Sequence, residues 1–231
     1  MDYDEIIERL KSMSNQKNVE GMARYGINPK NNLGISIYKL RPFAKEIGKN
    51  HDLSLKLWKS GIHDARLLAV FIDYPEKVTQ DQMDSWASDF DSWDVCDQAC
   101  TSLFDITPFA WKKAFEWSSC DEEFVKRGAF SIIAGLAVHD KKAEDSKFEA
   151  FFPIIKKEST DERNYVKKAV NWALRNIGKR NLSLNKKAIE TAREIQKINS
   201  KSAKWIANDA IRELTSEKIQ KKIKKTTKIK S

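Results

Sequence analysis

Phe124-Val-Lys-Arg-Gly-Ala-Phe130 and Tyr165-Val-Lys-Lys-Ala-Val-Asn171 superimpose at an offset of 41 residues, and a further 41 brings Ala169 onto Ala210 in the apolar run of the next helix. A period near 40 with two helices in each unit is what a stacked helical array leaves in a sequence, because each unit buries its apolar face against its neighbours. Carried backward with a shorter spacing, the register puts Arg66, Asp97, Arg127 and Lys168 at one equivalent position in four successive inner helices. These polar residues are expected to line one concave surface.

The rest of the chain agrees with this repeat. Eight Gly and five Pro leave few turn signals, and strand-like alternation is almost absent, so the class is all-α. Helices are expected over 3–13 and 18–25, the second stopping at Gly26 and Pro29. Ser36 reads as the N-cap of 37–48, Asp52 as the cap of a short helix through Trp58, and His63 as the start of a helix to Asp73. Thr79 opens 80–90, Ser92 caps a helix beginning at Trp93, and Thr107-Pro108 starts one running through Trp117. The fold expected is therefore a HEAT-like helical repeat solenoid over 1–217, with a concave, basic face. Seven of the last fourteen residues are Lys, so 218–231 reads as a basic tail into which the final helix frays.

Charge and cysteine content narrow the partners. Forty-two Lys plus Arg against 33 Asp plus Glu give a net charge of +9, which favours anionic partners such as nucleic acid. Cys96, Cys100 and Cys120 are odd in number, form no Cys-x-x-Cys pair and lie in apolar helical patterns, so they read as reduced core residues of a cytoplasmic protein. The amphipathic start has no signal-peptide run, and no stretch approaches the roughly 20 apolar residues needed to span a bilayer. His51, His63 and His139 are scattered without ligand spacing, so neither a metal nor a cofactor is expected.

Two helical faces carry the chemistry. In Ser92-Trp-Asp-Val-Cys-Asp97, Trp93 and Asp97 are four residues apart and share a face, placing an aromatic plate beside a carboxylate. Lys168, Trp172 and Arg175 lie at i, i+4 and i+7 on a second helix, continued by Lys179 and Arg180. At any single helix a Trp is more often core and cations more often a solvated stripe. Agreement among three adjacent units favours a functional face. Asp94 points away from Asp97 and is left out; His63-Asp64 reads as a helix-start cap; Trp86, Trp111, Trp117 and Trp205 are assigned to packing between repeats.

Ser92-Trp-Asp-Val-Cys-Asp97, Val125-Lys-Arg-Gly-Ala129 and Val166-Lys-Lys-Ala-Val-Asn-Trp-Ala-Leu-Arg175 resemble three motifs of the AlkD-type DNA glycosylases, the HEAT-like DNA alkylation repair family. Met22-Ala-Arg-Tyr25 and Leu33-Gly-Ile35 are similar to that family's N-terminal segment. The resemblance runs over roughly residues 5–215 in the right order. It implies that Asp97 is the catalytic carboxylate, that Trp93 and Trp172 flank the lesion nucleotide, and that Arg127 is the arginine of the catalytic cleft. By position, Lys168 and Arg175 would contact phosphate, with Arg66, Lys179 and Arg180 as further DNA contacts.

The implied activity is base excision: hydrolysis of the N-glycosidic bond of cationic N3- or N7-alkylpurines in duplex DNA, with no cofactor and with the lesion left stacked. The expected protein is a cytoplasmic monomer, associated with the nucleoid when bound to DNA. Two alternatives stand beside it: a DNA-binding paralogue that recognises bent or branched DNA without excision, and a protein-interaction scaffold, as many helical solenoids are.

Overall fold

The structure, a computed structural model, describes residues 1–230, with side chains described through residue 224. Among these residues it contains helices and no strand. In chain order the α-helices are α1 Tyr3–Ser12, α2 Gln16–Arg24, α3 Ile37–Ile47, α4 His51–Lys59, α5 His63–Ile72, α6 Gln80–Ser88, α7 Trp93–Ser102, α8 Ala110–Ser118, α9 Glu123–His139, α10 Asp145–Glu149, α11 Phe152–Glu158, α12 Asn164–Gly178, α13 Leu182–Gln196, α14 Lys201–Leu214 and α15 Glu217–Lys230. They fall into two compact units, Met1–Phe109 and Ala110–Ser231.

In the first unit, side-chain caps set most helix starts. Asp2 and Glu5 form a reciprocal capping box at α1, and Asn15, Ser36 and Thr79 accept from backbone N–H groups at α2, α3 and α6. At α4 the cap is Asn50, two residues ahead of Asp52, the cap expected from sequence, which leaves Asp52 in the first turn, where a carboxylate complements the helix dipole. The helices bury Leu10, Leu40, Leu57, Leu68 and Ile72 completely. Trp58 and Trp86 stack face to face, with centroids 3.9 Å apart and planes 3° from parallel. Asp73, at the C-terminus of α5, is fully buried and is matched by the Gln82 amide at 2.7 Å, the Tyr74 N–H at 2.8 Å and the His51 ring at 2.7 Å.

In the second unit α9 is the central helix. It is buried without interruption from Lys126 to Ala137 and packs on α8 and α12. α12 packs in turn on α13 and α14. The closest approach is at Gly178, where a Cβ would stand 2.7 Å from Leu214 and 2.9 Å from Ala188, so only glycine fits without movement. α8 begins at Ala110, beyond the expected Thr107-Pro108 start, because Thr107 turns its hydroxyl back onto the Phe104 carbonyl at 2.8 Å and ends a short 3₁₀ turn.

Several sequence expectations are corrected by packing. Trp86 and Trp117 are buried, but Trp205 is 42% exposed, with the Lys167 ammonium 5.4 Å from its ring centroid. Cys96 and Cys100 are core, whereas Cys120 follows α8 and is only half-buried. The expected tail begins as α15, which buries Ile219 and Ile223. Side chains beyond residue 224, and Ser231 altogether, lie outside the described residues.

Candidate active site

α7 carries Trp93 at its first position and Asp97 one turn later. Val95, Cys96, Ala99 and Cys100 are completely buried, which leaves Trp93 and Asp97 half-buried at the edge of the packed face. The indole N–H of Trp93 donates to the Tyr25 carbonyl at 3.0 Å, fixing the ring plane. The Thr101 hydroxyl donates to the Asp97 carbonyl at 2.7 Å.

The start of α7 is held by the irregular segment between α2 and α3. Asn28 N–H donates to the Ser92 hydroxyl at 3.2 Å, and the Asn28 amide to Asp91 at 2.9 Å. Ser92 therefore occupies the N-cap position with its side chain engaged by the loop rather than by the helix. From the other side the fully buried Asp64 accepts the backbone N–H groups of Leu33 at 2.6 Å and Ile35 at 2.8 Å. Gly34, between them, has φ +70°, and a Cβ there would meet the Asn15 carbonyl at 2.4 Å. This is the physical need behind Leu33-Gly-Ile35.

His63 closes the set. Its Nε2–H donates to Asp94 at 2.9 Å, and its Nδ1 lies 3.8 Å from Asp64, a charge contact rather than a hydrogen bond. Burial pulls the imidazolium down, but the negative charges of Asp64 and Asp94 and the hydrogen bond to Asp94 outweigh it and push the pKa up to about 9. His63 is thus cationic at neutral pH, between two carboxylates. The helix-start cap expected of His63-Asp64 is corrected: Ile62 holds the N-cap position without a side-chain bond, and the pair ties α5 to the loop and to α7. Asp94, left out on sequence, is the anchor that joins α7 to α5.

Asp97, Arg127 and Lys168 are each the fifth residue of their helices, α7, α9 and α12, whereas Arg66 is the fourth of α5, one residue out of that register. Their surroundings differ. Arg66 donates to the Asp89 carbonyl at 2.9 Å and lies 5.3 Å from the Trp58 ring, with only 14% of its side chain exposed. Arg127 is buried and donates to the Tyr165 carbonyl at 2.6 Å, bracing the first turn of α12. Its neighbour Lys126 pairs with Glu158 at 2.7 Å in the interior.

On α12, Lys168 is exposed and Trp172, one turn on, is half-buried, so the helix places a cation one turn from an aromatic side chain. Arg175 pairs with Glu213 at 2.6 Å and Lys179 with the same carboxylate at 3.1 Å. Burial raises the Glu213 carboxyl, and these two cations more than reverse it, holding it below the usual range. Arg180 caps the end of α9: it donates to the Ala137 carbonyl at 2.8 Å and the Ala143 carbonyl at 3.3 Å, stacked 3.9 Å over Phe148. Burial lowers its pKa. The contiguous cations of the sequence are thus separated into one exposed, two ion-paired and one holding backbone.

Paired helices with a 41-residue internal repeat and no strand among the described residues define a HEAT-like helical repeat protein. The chain belongs to the DNA alkylation repair enzyme family, whose model matches residues 6–214. It is 22% identical over 201 residues to the uncharacterized protein Lin0241 of Listeria innocua, spanning 85% of this chain and 88% of that one. The uncharacterized protein Lmo0209 of Listeria monocytogenes is equally similar, 22% identical over the same shares. A solved structure described as a new family of proteins related to the HEAT-like repeat DNA glycosylases, with affinity for branched DNA structures, has the same fold: TM-score 0.77 at 20% identity, covering 92% of this chain and 95% of that one.

Proposed function

We propose that the protein binds DNA and hydrolyses the N-glycosidic bond of purines alkylated at N3 or N7. The observation that carries this reading is the α7 face, where the half-buried Asp97 stands one turn from a Trp93 ring fixed by its bond to the Tyr25 carbonyl. An alkylated purine bears positive charge and leaves readily, so little general-acid help is needed. As the bond from C1′ to the base breaks, its electron pair neutralises the purine and a cation develops on the sugar. Asp97 stabilises that cation and orients the water that attacks C1′, whose proton is released to solvent. Preorganised electrostatics of this kind is typically worth roughly 3 kcal/mol. The faces of Trp93 and Trp172 add about 0.5–2 kcal/mol each against a cationic sugar or base.

In this reading Lys168 contacts phosphate directly, Arg175 and Lys179 do so by exchanging Glu213 for it, and Arg127 fixes the start of α12. Arg66 and Arg180, with their guanidinium groups on backbone carbonyls, serve the fold. The test is release of free 7-methylguanine from a duplex carrying that single lesion. Wild type is expected to release it, and Asp97→Asn to fold and bind DNA while losing release. No release by either, with salt-sensitive DNA binding retained, would move the chain to a DNA-binding protein without excision; affinity for branched DNA structures is the property described for its structural neighbour.

A further inference from the structure

Beside α7, but away from Trp93 and Asp97, the first unit contains an open cavity of about 560 Å³. Its lining includes Arg41 and Lys45, one turn apart on α3, Lys49 just past the C-cap Gly48, the ring of Phe71 and Ser102 at the end of α7. Among the described residues the lining holds three cations and no carboxylate.

The cations are not merely scattered on a surface. Arg41 lies 4.5 Å from the centre of the Phe71 ring and donates one Nη2–H to Gln98 at 2.9 Å, so its guanidinium plane is held from two sides with other donors remaining. The Ser102 hydroxyl donates to the same Gln98 oxygen at 3.3 Å. Lys49 is tethered to the Asp73 carbonyl at 2.6 Å, and Lys45 is exposed. A cation near a helix C-terminus complements the dipole. Three of them around one cavity exceed that need and leave a local excess of positive charge. The volume falls in the range of small-ligand clefts, roughly 300–1,000 Å³. A planar fork and two ammonium groups are the donors that suit phosphate oxygens.

We propose that this cavity is a phosphate-ester site and that it takes the sugar–phosphate backbone of a DNA strand rather than a free nucleotide. Arg41 and Lys45 are about 6 Å apart along the helix axis. One DNA strand carries a charge every ~3.4 Å of its axis, so the two cations span about two phosphate steps and the row follows a single strand. The site lies outside the α7 face of the proposed excision chemistry and rests on that proposal only in taking DNA as the partner.

The test is duplex binding by fluorescence anisotropy across a salt series, for wild type, Lys45→Gln and Lys45→Glu. Lys45 is exposed on a helix, so both variants are expected to fold, checked by circular dichroism. Lys45→Gln is expected to weaken binding several-fold and to reduce the slope of log K against log salt by about 0.9, the value for one lost phosphate contact. Lys45→Glu should weaken it further. Unchanged affinity and slope in both would overturn the site. In parallel, inorganic phosphate and AMP are titrated while the Lys45 and Ser102 amides are followed by NMR. Saturation by either at micromolar concentration, without competition by duplex, would overturn the backbone assignment. Base release from the 7-methylguanine duplex is recorded for each variant at saturating protein. Release retained with an unchanged salt slope sinks this site alone, whereas a reduced slope without release by wild type sinks the excision chemistry alone.

Discussion

Removing one charge from the His63 cluster is expected to reduce the pH dependence of stability expected of the intact protein. In the folded chain His63 has a pKa of about 9 against an ordinary 6.5. At about 1.4 kcal/mol for each pH unit, that gap corresponds to ~3.5 kcal/mol. Because the folded value lies above the unfolded one, the stabilisation is complete below about pH 6.5 and is lost as pH rises through 9. Asp94→Asn keeps the shape of the anchor but removes its charge, leaving Asp64 at 3.8 Å as the remaining anion. The histidine pKa should then fall towards its ordinary value and the pH dependence shrink with it. The assay is urea unfolding of both proteins at pH 6, 7.5 and 9.5, together with NMR titration of the histidine ring signals, which only His51, His63 and His139 contribute. A His63 titrating near 6.5 in wild type, or equal losses of stability in the two proteins, would refute the reasoning.

Two further outcomes follow from particular contacts. Arg180→Ala is expected to destabilise by about 2–3 kcal/mol, because it strips charged hydrogen bonds from backbone carbonyls and a cation from the Phe148 face, and thermal unfolding measures it; a changed salt slope of DNA binding in this variant would return Arg180 to the interface. Gly178→Ala forces a methyl group against Leu214 and Ala188, at about 1–3 kcal/mol, and a melting temperature equal to wild type would show that α12, α13 and α14 are less tightly packed than their distances imply.

Much of the fold was legible because helix boundaries follow local rules. Asn, Ser and Thr caps, a 41-residue recurrence and the scarcity of Gly and Pro specify short paired helices without reference to tertiary contacts. The errors arose where a side chain had both a local and a distant use. Ser92 holds the N-cap position expected of it, but its side chain, like that of Asp64, binds a loop segment about 30 to 64 residues away, a choice that depends on burial. In the candidate site, the Trp93–Asp97 and Lys168–Trp172 pairs could be read from i, i+4 spacing alone. Arg175, Lys179 and Arg180 could not be told apart, since sequence records their charge but not that Glu213 and the end of α9 already claim it. Trp205 was misassigned for the converse reason: a tryptophan in an amphipathic helix is usually interior, and this one is 42% exposed.

The loop between α2 and α3 has no regular structure, yet two of its amides end on a buried carboxylate and its Asn28 is pinned to the start of α7. An irregular segment held in this way is not a lid. Swinging it open would strand Asp64 and the imidazolium beside it, so, for the proposed excision site, the face carrying Trp93 and Asp97 is preformed before DNA arrives. Such a surface loses little conformational entropy on association. Any mismatch of shape is then taken up by the partner, and for a double helix that means bending, at an energy set by the base sequence being bent.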